Sequence, residues 1–180
     1  MVIVLFSFSL ILFISLLTYS ENDPGFNTTG NGQDISNFIG LIGAYFSNTA
    51  ITFIGISSYF LPLLFFSSAV GLVRPDEIKS NKEILIIKLI SFFFVFITTC
   101  TLASIHFIVP WMPEGAGGIL GMIMASFFIQ GLNVVGTSLL MLALWFSFLP
   151  LFIGFSWLRL IEVIGTSVIR VFSLLSKLSY

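Results

Sequence analysis

Phe38–Val73 reads FIGLIGAYFSNTAITFIGISSYFLPLLFFSSAVGLV, and no charged side chain interrupts it. A continuous helix of that length would run about 54 Å, against a hydrocarbon core of about 30 Å. The stretch therefore predicts two elements. Small residues Gly40, Gly43 and Ser47 come first, then polar Asn48, Thr49 and Thr52, then an apolar run to Val73. That order predicts a short helix at the outer membrane–water interface and a spanning helix from about Ile51. Gly118–Trp157 repeats the plan, with Gly118, Gly121 and Ala125 at the same spacing, polar Gln130 and Asn133 next, and a second long apolar run. Offsets of zero, three and seven share one helical face. Each short helix is thus expected to offer a flat side against which another backbone can pack closely.

Composition agrees with a chain built for lipid. Hydrophobic residues make up 57% and charged residues 8%, and the mean hydropathy is +1.11, values that belong to integral membrane proteins. The 180 residues accommodate four spans and leave no room for a soluble domain of ordinary size. The seven basic residues, Arg74, Lys79, Lys82, Lys88, Arg159, Arg170 and Lys177, fall in or beside two segments, 74–88 and 159–177. By the positive-inside rule both segments are cytoplasmic, which puts 20–37 and 106–117 outside and both termini inside. The single Cys100 excludes an intramolecular disulfide framework.

In chain order, the apolar start lacks a basic n-region, and TYSENDPG offers no small-x-small cleavage site, so an uncleaved first span is expected. Pro24 and Gly25 predict a type II turn, with proline fixing the second position and glycine supplying a positive φ at the third. Pro75 is expected to stop the second span, Ser80 or Asn81 to cap the third, and Lys88 to snorkel to the headgroups. Pro62 predicts a kink inside the second span, with Ser58 satisfying the freed carbonyl, and Pro150 raises the same prospect in the fourth. Beyond Trp157, Arg159, Glu162, Thr166, Arg170, Ser173 and Lys177 recur at steps of three or four between apolar residues. They predict an amphipathic helix along the cytoplasmic surface. The fold class is therefore all-α membrane protein. A four-helix domain covers 1–157, with spans at about 2–19, 51–73, 84–105 and 134–155, two outer interfacial helices precede the second and fourth spans, and 158–180 forms the amphipathic helix or the start of a linker.

Several stretches resemble the N-terminal four-helix membrane domain of the FtsK/SpoIIIE DNA translocases. Thr18–Gly25 (TYSENDPG), with Asp23 and Pro24, is similar to the family's exit from the first helix. Gly40–Ala44 (GLIGA) and Phe53–Pro62 (FIGISSYFLP), with Gly55, Tyr59 and Pro62, resemble the second helical unit. Gly117–Gly121 (GGILG) and Gly154–Trp157 (GFSW), with Gly154, Ser156 and Trp157, resemble the fourth. Five motifs in order cover most of 18–157. The resemblance implies anchoring at the division septum in the bacterial inner membrane, contact with other division proteins, self-association, and help in assembling a DNA-pumping motor. Two departures matter: the family's basic N-terminal segment is missing, and so are the motor and its DNA-reading winged helix. No G-x-x-x-x-G-K-[ST] loop is present, so no ATPase or DNA-binding residue carries over, and this segment is expected to make no direct contact with nucleic acid.

Little chemistry competes with that reading. His106 has no cysteine or second histidine near it in sequence and reads as an interfacial residue, while Cys100, among Thr98, Thr99 and Thr101, reads as a small packing residue. No catalytic residue, metal ligand or cofactor is expected, and the surrounding partner is the lipid bilayer. The alternative function is a small stand-alone transporter or channel subunit. Ion-coupled transport normally needs an ionisable group within the membrane. Here Glu21, Asp23, Asp34, Asp76, Glu77, Glu83, Glu114 and Glu162 all fall in loops or at the interface, which disfavours a proton-driven exporter and leaves a passive pore open.

Overall fold

The computed structural model describes residues 1–32, 34–73, 82–154 and 156–178. Its regular elements are helices: α1 (Val2–Leu17), α2 (Gly40–Ile54), a 3₁₀ turn (Gly55–Tyr59), α3 (Phe60–Val73), α4 (Lys82–His106), α5 (Gly118–Ile153) and α6 (Trp157–Leu178). Lipid offers no hydrogen bonds to peptide groups, so apolar segments satisfy their own backbones as helices. Three helical segments, Gly40–Val70, Ile86–His106 and Gly118–Ile153, are long and apolar enough to cross a membrane, and Val2–Leu17 is a shorter apolar helix.

The first long segment breaks at Gly55, not near Ile51. α2 runs through the polar Asn48–Thr52 stretch, and the backbone leaves helical geometry at Gly55 (φ 56°, ψ −135°). Ser15 and Leu16, adjacent in α1, show how sharp the bend is. Ser15 Oγ donates to the Gly43 carbonyl (2.7 Å), and the Leu16 carbonyl accepts from Tyr59 Oη (3.1 Å). Sixteen residues of straight helix would separate Gly43 from Tyr59 by about 24 Å. α2 therefore lies across the end of α1, and α3 descends beside it. The crossing segment is Gly55–Val73, whose five 3₁₀ and fourteen α residues rise about 31 Å. Pro62 does not kink a helix: it sits in the first turn of α3, where a missing N–H costs nothing, and the Ser57 and Ser58 carbonyls are taken by the N–H at the cap of the 3₁₀ turn.

α5 bends in the same way. Gly121 lies against Cys100, and Ser138 Oγ pairs with His106 Nε2 at 2.7 Å. Those partners are six residues apart on α4, about 9 Å, whereas seventeen residues of straight helix between Gly121 and Ser138 would cover about 26 Å. The bend is at Asn133 (φ 59°, ψ 173°), whose Oδ1 accepts from the N–H of Val134. This pairing of φ and ψ lies outside the left-handed α region that asparagine tolerates, in one adopted almost only by glycine, so the bend holds Asn133 in strained backbone. Beyond it, α5 descends antiparallel to α4, with Trp145 Nε1 donating to Thr99 Oγ1 (3.1 Å) and Phe148 stacked on Phe94 (4.3 Å).

Two antiparallel pairs result, α1 with α3 and α4 with α5. Ser9 Oγ to the Pro62 carbonyl (2.7 Å) and Phe8 edge-on to Phe65 (4.8 Å) tie the first pair. Among the described residues, contacts between the pairs gather at one end, through α2 and the 3₁₀ turn. The buried core lies there too: Leu16, Ala50, Ile51, Ala103, Met112 and Ala116. Helix bounds differ by a few residues from the sequence expectation. α1 ends at Leu17, where Thr18 Oγ1 turns back to the Ile14 carbonyl, and α4 spans Lys82–His106. The expected roles of Pro75, Ser80 and Asn81 lie outside the described residues.

Candidate functional site: a backbone junction and the loop that braces it

Backbones approach one another closely at the meeting of α2, α4 and the start of α5. The Ile56 N–H donates to the Ala116 carbonyl at 2.8 Å, so two loops share a backbone hydrogen bond across the bundle. A Cβ at Gly118 would lie 2.6 Å from the backbone nitrogens of both Ile54 and Gly55, and one at Gly55 would lie 2.7 Å from the Gly118 nitrogen. Both glycines have positive φ, 63° and 56°. On the other side, Gly117 and Gly121 press on the Cys100 carbonyl and Ser104, and Cys100 Sγ donates to the Ile54 carbonyl (3.6 Å). Three backbones thus touch with no side chain between them. The carboxyl end of α2 meets the amino end of α5, an arrangement that places opposite helix-dipole ends together.

A polar brace holds α1 and the 20–37 loop to this junction. Asp23 is 4% exposed, and its carboxylate accepts from the N–H groups of Ser36 (2.8 Å) and Asn37 (2.9 Å). Asn37 Nδ2 donates to the carbonyls of Ser15 (2.8 Å) and Thr18 (3.2 Å), taking up acceptors that the end of α1 leaves open. Asn48 Oδ1 accepts from the Phe26 N–H at 2.9 Å. Gly25 is not a positive-φ turn residue. It is needed because a Cβ there would run into the Asn48 side chain, so space rather than backbone twist selects glycine.

The two small-residue stripes behave differently. Gly118, Gly121 and Ala125 are buried, and the first two meet neighbouring backbones. Gly40 has nothing within 4 Å of a Cβ, and its φ of 73° opens α2 instead. Gly43 makes room for Asn37 and Ile39, and Ser47 Oγ is within 3.4 Å of Asn37 Nδ2. The first stripe therefore receives the loop brace beside α1, whose Ser15 Oγ reaches the Gly43 carbonyl. Tyr59 and Pro62 meet α1 through Leu16 and Ser9. Gly154 (φ 84°) caps α5, Ser156 accepts from the Leu160 N–H, and Trp157 Nε1 donates to the Phe146 carbonyl. Ala116 and Asn37 were not singled out in the sequence, where Gly117 stood only within a motif and Asn48 only within a polar stretch. The GAGG run at 115–118 signals a close approach, but nothing local names its partner. Among the described residues no three His, Cys, Asp or Glu side chains converge as metal ligands would.

A fold that depends on such contacts should leave relatives, and it does. Residues 1–165 match the family described as the 4TM region of DNA translocase FtsK/SpoIIIE. The chain is 33% identical over 160 residues to the DNA translocase FtsK of Vibrio vulnificus, covering 88% of this chain and 16% of that protein. With the DNA translocase FtsK of Pseudomonas putida it shares 32% over 168 residues, 92% of this chain and 20% of that one. The Shewanella oneidensis DNA translocase FtsK is 27% identical over 169 residues, 93% and 18%. The chain therefore spans between about a sixth and a fifth of the length of these curated relatives. No solved structure matches it. Apolar helices and this family place it as a multi-pass inner-membrane protein. A glycine-tied, all-helical membrane unit matching the amino-terminal part of much longer translocases leads to one assignment: the chain belongs to the 4TM region family of the FtsK/SpoIIIE DNA translocases.

Proposed function

We propose that this segment anchors a bacterial DNA translocase in the inner membrane and helps to assemble it at the division septum, in the service of chromosome segregation. The observation that carries the reading is the family match over 1–165, which covers the membrane region of proteins named as DNA translocases. The junction supports it: three backbones locked at one end suit an assembly platform. In this reading the segment is not itself an enzyme, touches other division proteins and further copies of itself, and leaves DNA to a motor elsewhere in the assembly.

A fluorescent fusion of residues 1–180 in its own bacterium should gather at midcell during constriction with no motor attached. Uniform staining of the envelope would remove the septal role and leave an anchor, and substrate-dependent flux in proteoliposomes would favour a transporter. The orientation that suits a cytoplasmic motor has both termini inside. Fusions of a periplasm-active phosphatase at Thr29 and Gly115 should then be active, and fusions at Glu83 and Glu162 silent. Activity at Glu83 would invert the topology.

A further inference from the structure

α6 starts four positions after α5 ends, and among its described residues none beyond the first makes substantial contact with the other helices. Its sequence is strongly two-sided. Trp157, Ile161, Ile164 and Val168 recur at steps of four, three and four, and the last three are 64%, 54% and 57% exposed. Arg159, Glu162 and Thr166 occupy the opposite face, which the sequence continues with Arg170 and Lys177. Three bases against one acid favour a negatively charged neighbour.

The depth of this helix is fixed by a proline. Pro150 lacks an N–H, so the carbonyl four residues earlier, at Phe146, loses its helical partner. Trp157 Nε1 donates to that carbonyl at 2.9 Å, and the two rings lie 5.5 Å apart. Phe146 is seven residues, about 10 Å, inside the end of α5. The start of α6 is therefore folded back beside the last turns of a spanning helix. That is the level of the boundary between headgroups and acyl chains, where interfacial helices sink their apolar faces by about 5–10 Å.

We propose that α6 is a membrane-surface helix, lying on the leaflet where α5 ends, with its Trp157–Ile161–Ile164–Val168 face among acyl chains and its basic face toward anionic headgroups. The inference rests on the chain being a membrane protein and not on the septal role. It is tested on the full chain in nanodiscs containing phosphatidylglycerol, with a nitroxide attached to a cysteine at Ile164 or at Thr166. The parent, whose Cys100 is fully buried, gives the background. The label at 164 should meet dissolved oxygen about five-fold more readily than a water-soluble nickel chelate, and the label at 166 should show the reverse. In discs of phosphatidylcholine alone, nickel access at 164 should rise about two-fold or more as the headgroup attraction is lost. Trp157→Phe keeps the ring and removes the donor, and should raise nickel access at 164 in the same direction. Equal nickel access at 164 and 166 would put the helix in water and overturn the proposal. Shielding of 164 from both reagents, with dipolar broadening between labels, would overturn it in favour of packing between copies. Access at 164 that ignores the lipid charge would overturn the recognition of anionic headgroups.

Discussion

Gly118→Val is expected to strip the membrane of folded protein, while Gly131→Ala should leave it untouched. The first Cβ would sit 2.6 Å from the backbone nitrogens of Ile54 and Gly55, at a φ of 63° that β-branched residues avoid. Backbone cannot rotate aside as a side chain can. Overpacking costs about 1–3 kcal/mol and left-handed backbone another 1–2 kcal/mol, a large share of ordinary stability. Gly55→Val should do the same from the other side of the contact, because it strikes the Ala116 carbonyl group and the Gly118 nitrogen. A Cβ at Gly131 meets nothing within 4 Å, and alanine is the better helix former by about 1 kcal/mol. Monodisperse yield in detergent and thermal scans at one fixed rate compare the variants, since membrane-protein melting is often irreversible. Parent-like behaviour of both valine variants would mean that the three-backbone junction does not hold the domain together.

The second large effect is expected at Asp23. Its carboxylate collects two N–H groups, and the second belongs to Asn37, whose own side chain closes the end of α1. Asp23→Ala leaves both donors without an acceptor and frees Asn37 to move. The Asn37 donor is buried and costs about 1–3 kcal/mol when unpaired, while the part-buried Ser36 donor costs less. The apparent melting temperature should drop, and amide exchange at Ser36 and Asn37 should accelerate well before that of α4. Asp23→Asn retains one acceptor oxygen in the same place, so its loss should be smaller. If alanine and asparagine behave alike, or exchange at Asn37 is unchanged, the Asp23 carboxylate contributes little and the loop is held by its other contacts, such as Phe26 to Asn48 and Phe38 to Thr18.

How much of this was legible in the sequence depended on whether the signal was local. A charge-free stretch too long for one crossing announces a break by arithmetic, and the 0–3–7 stripes announce helices. The site of the first break was misread for a physical reason. Asn48 and Thr49 look like a polar hinge, yet they are used inside a continuous helix: Asn48 receives the Phe26 N–H, and Thr49 Oγ1 bonds back to the Tyr45 carbonyl. The true break needs a conformation that Gly55 can adopt, and its neighbours do not advertise it. Asn133 was more legible, being a polar residue in an apolar run, although nothing local announces its backbone angles. The brace was invisible because it pairs residues far apart in sequence, Asp23 with Asn37 and Asn37 with Ser15. No periodicity records which donor will meet which carbonyl.

The two helix pairs are joined chiefly at one end, where Leu16, Ile51, Ala103 and Ala116 are buried together. Mechanically, that makes them levers sharing a fulcrum. A turn of about 10° at the joined end would part the far ends by about 5 Å over a length of about 30 Å. Load applied to the other ends is passed to the glycine contacts, which are close-packed and stiff, and to the chain that links α3 to α4. A domain of this shape is stiffest at the surface where its backbones meet, and a pull on α6 reaches that surface along α5.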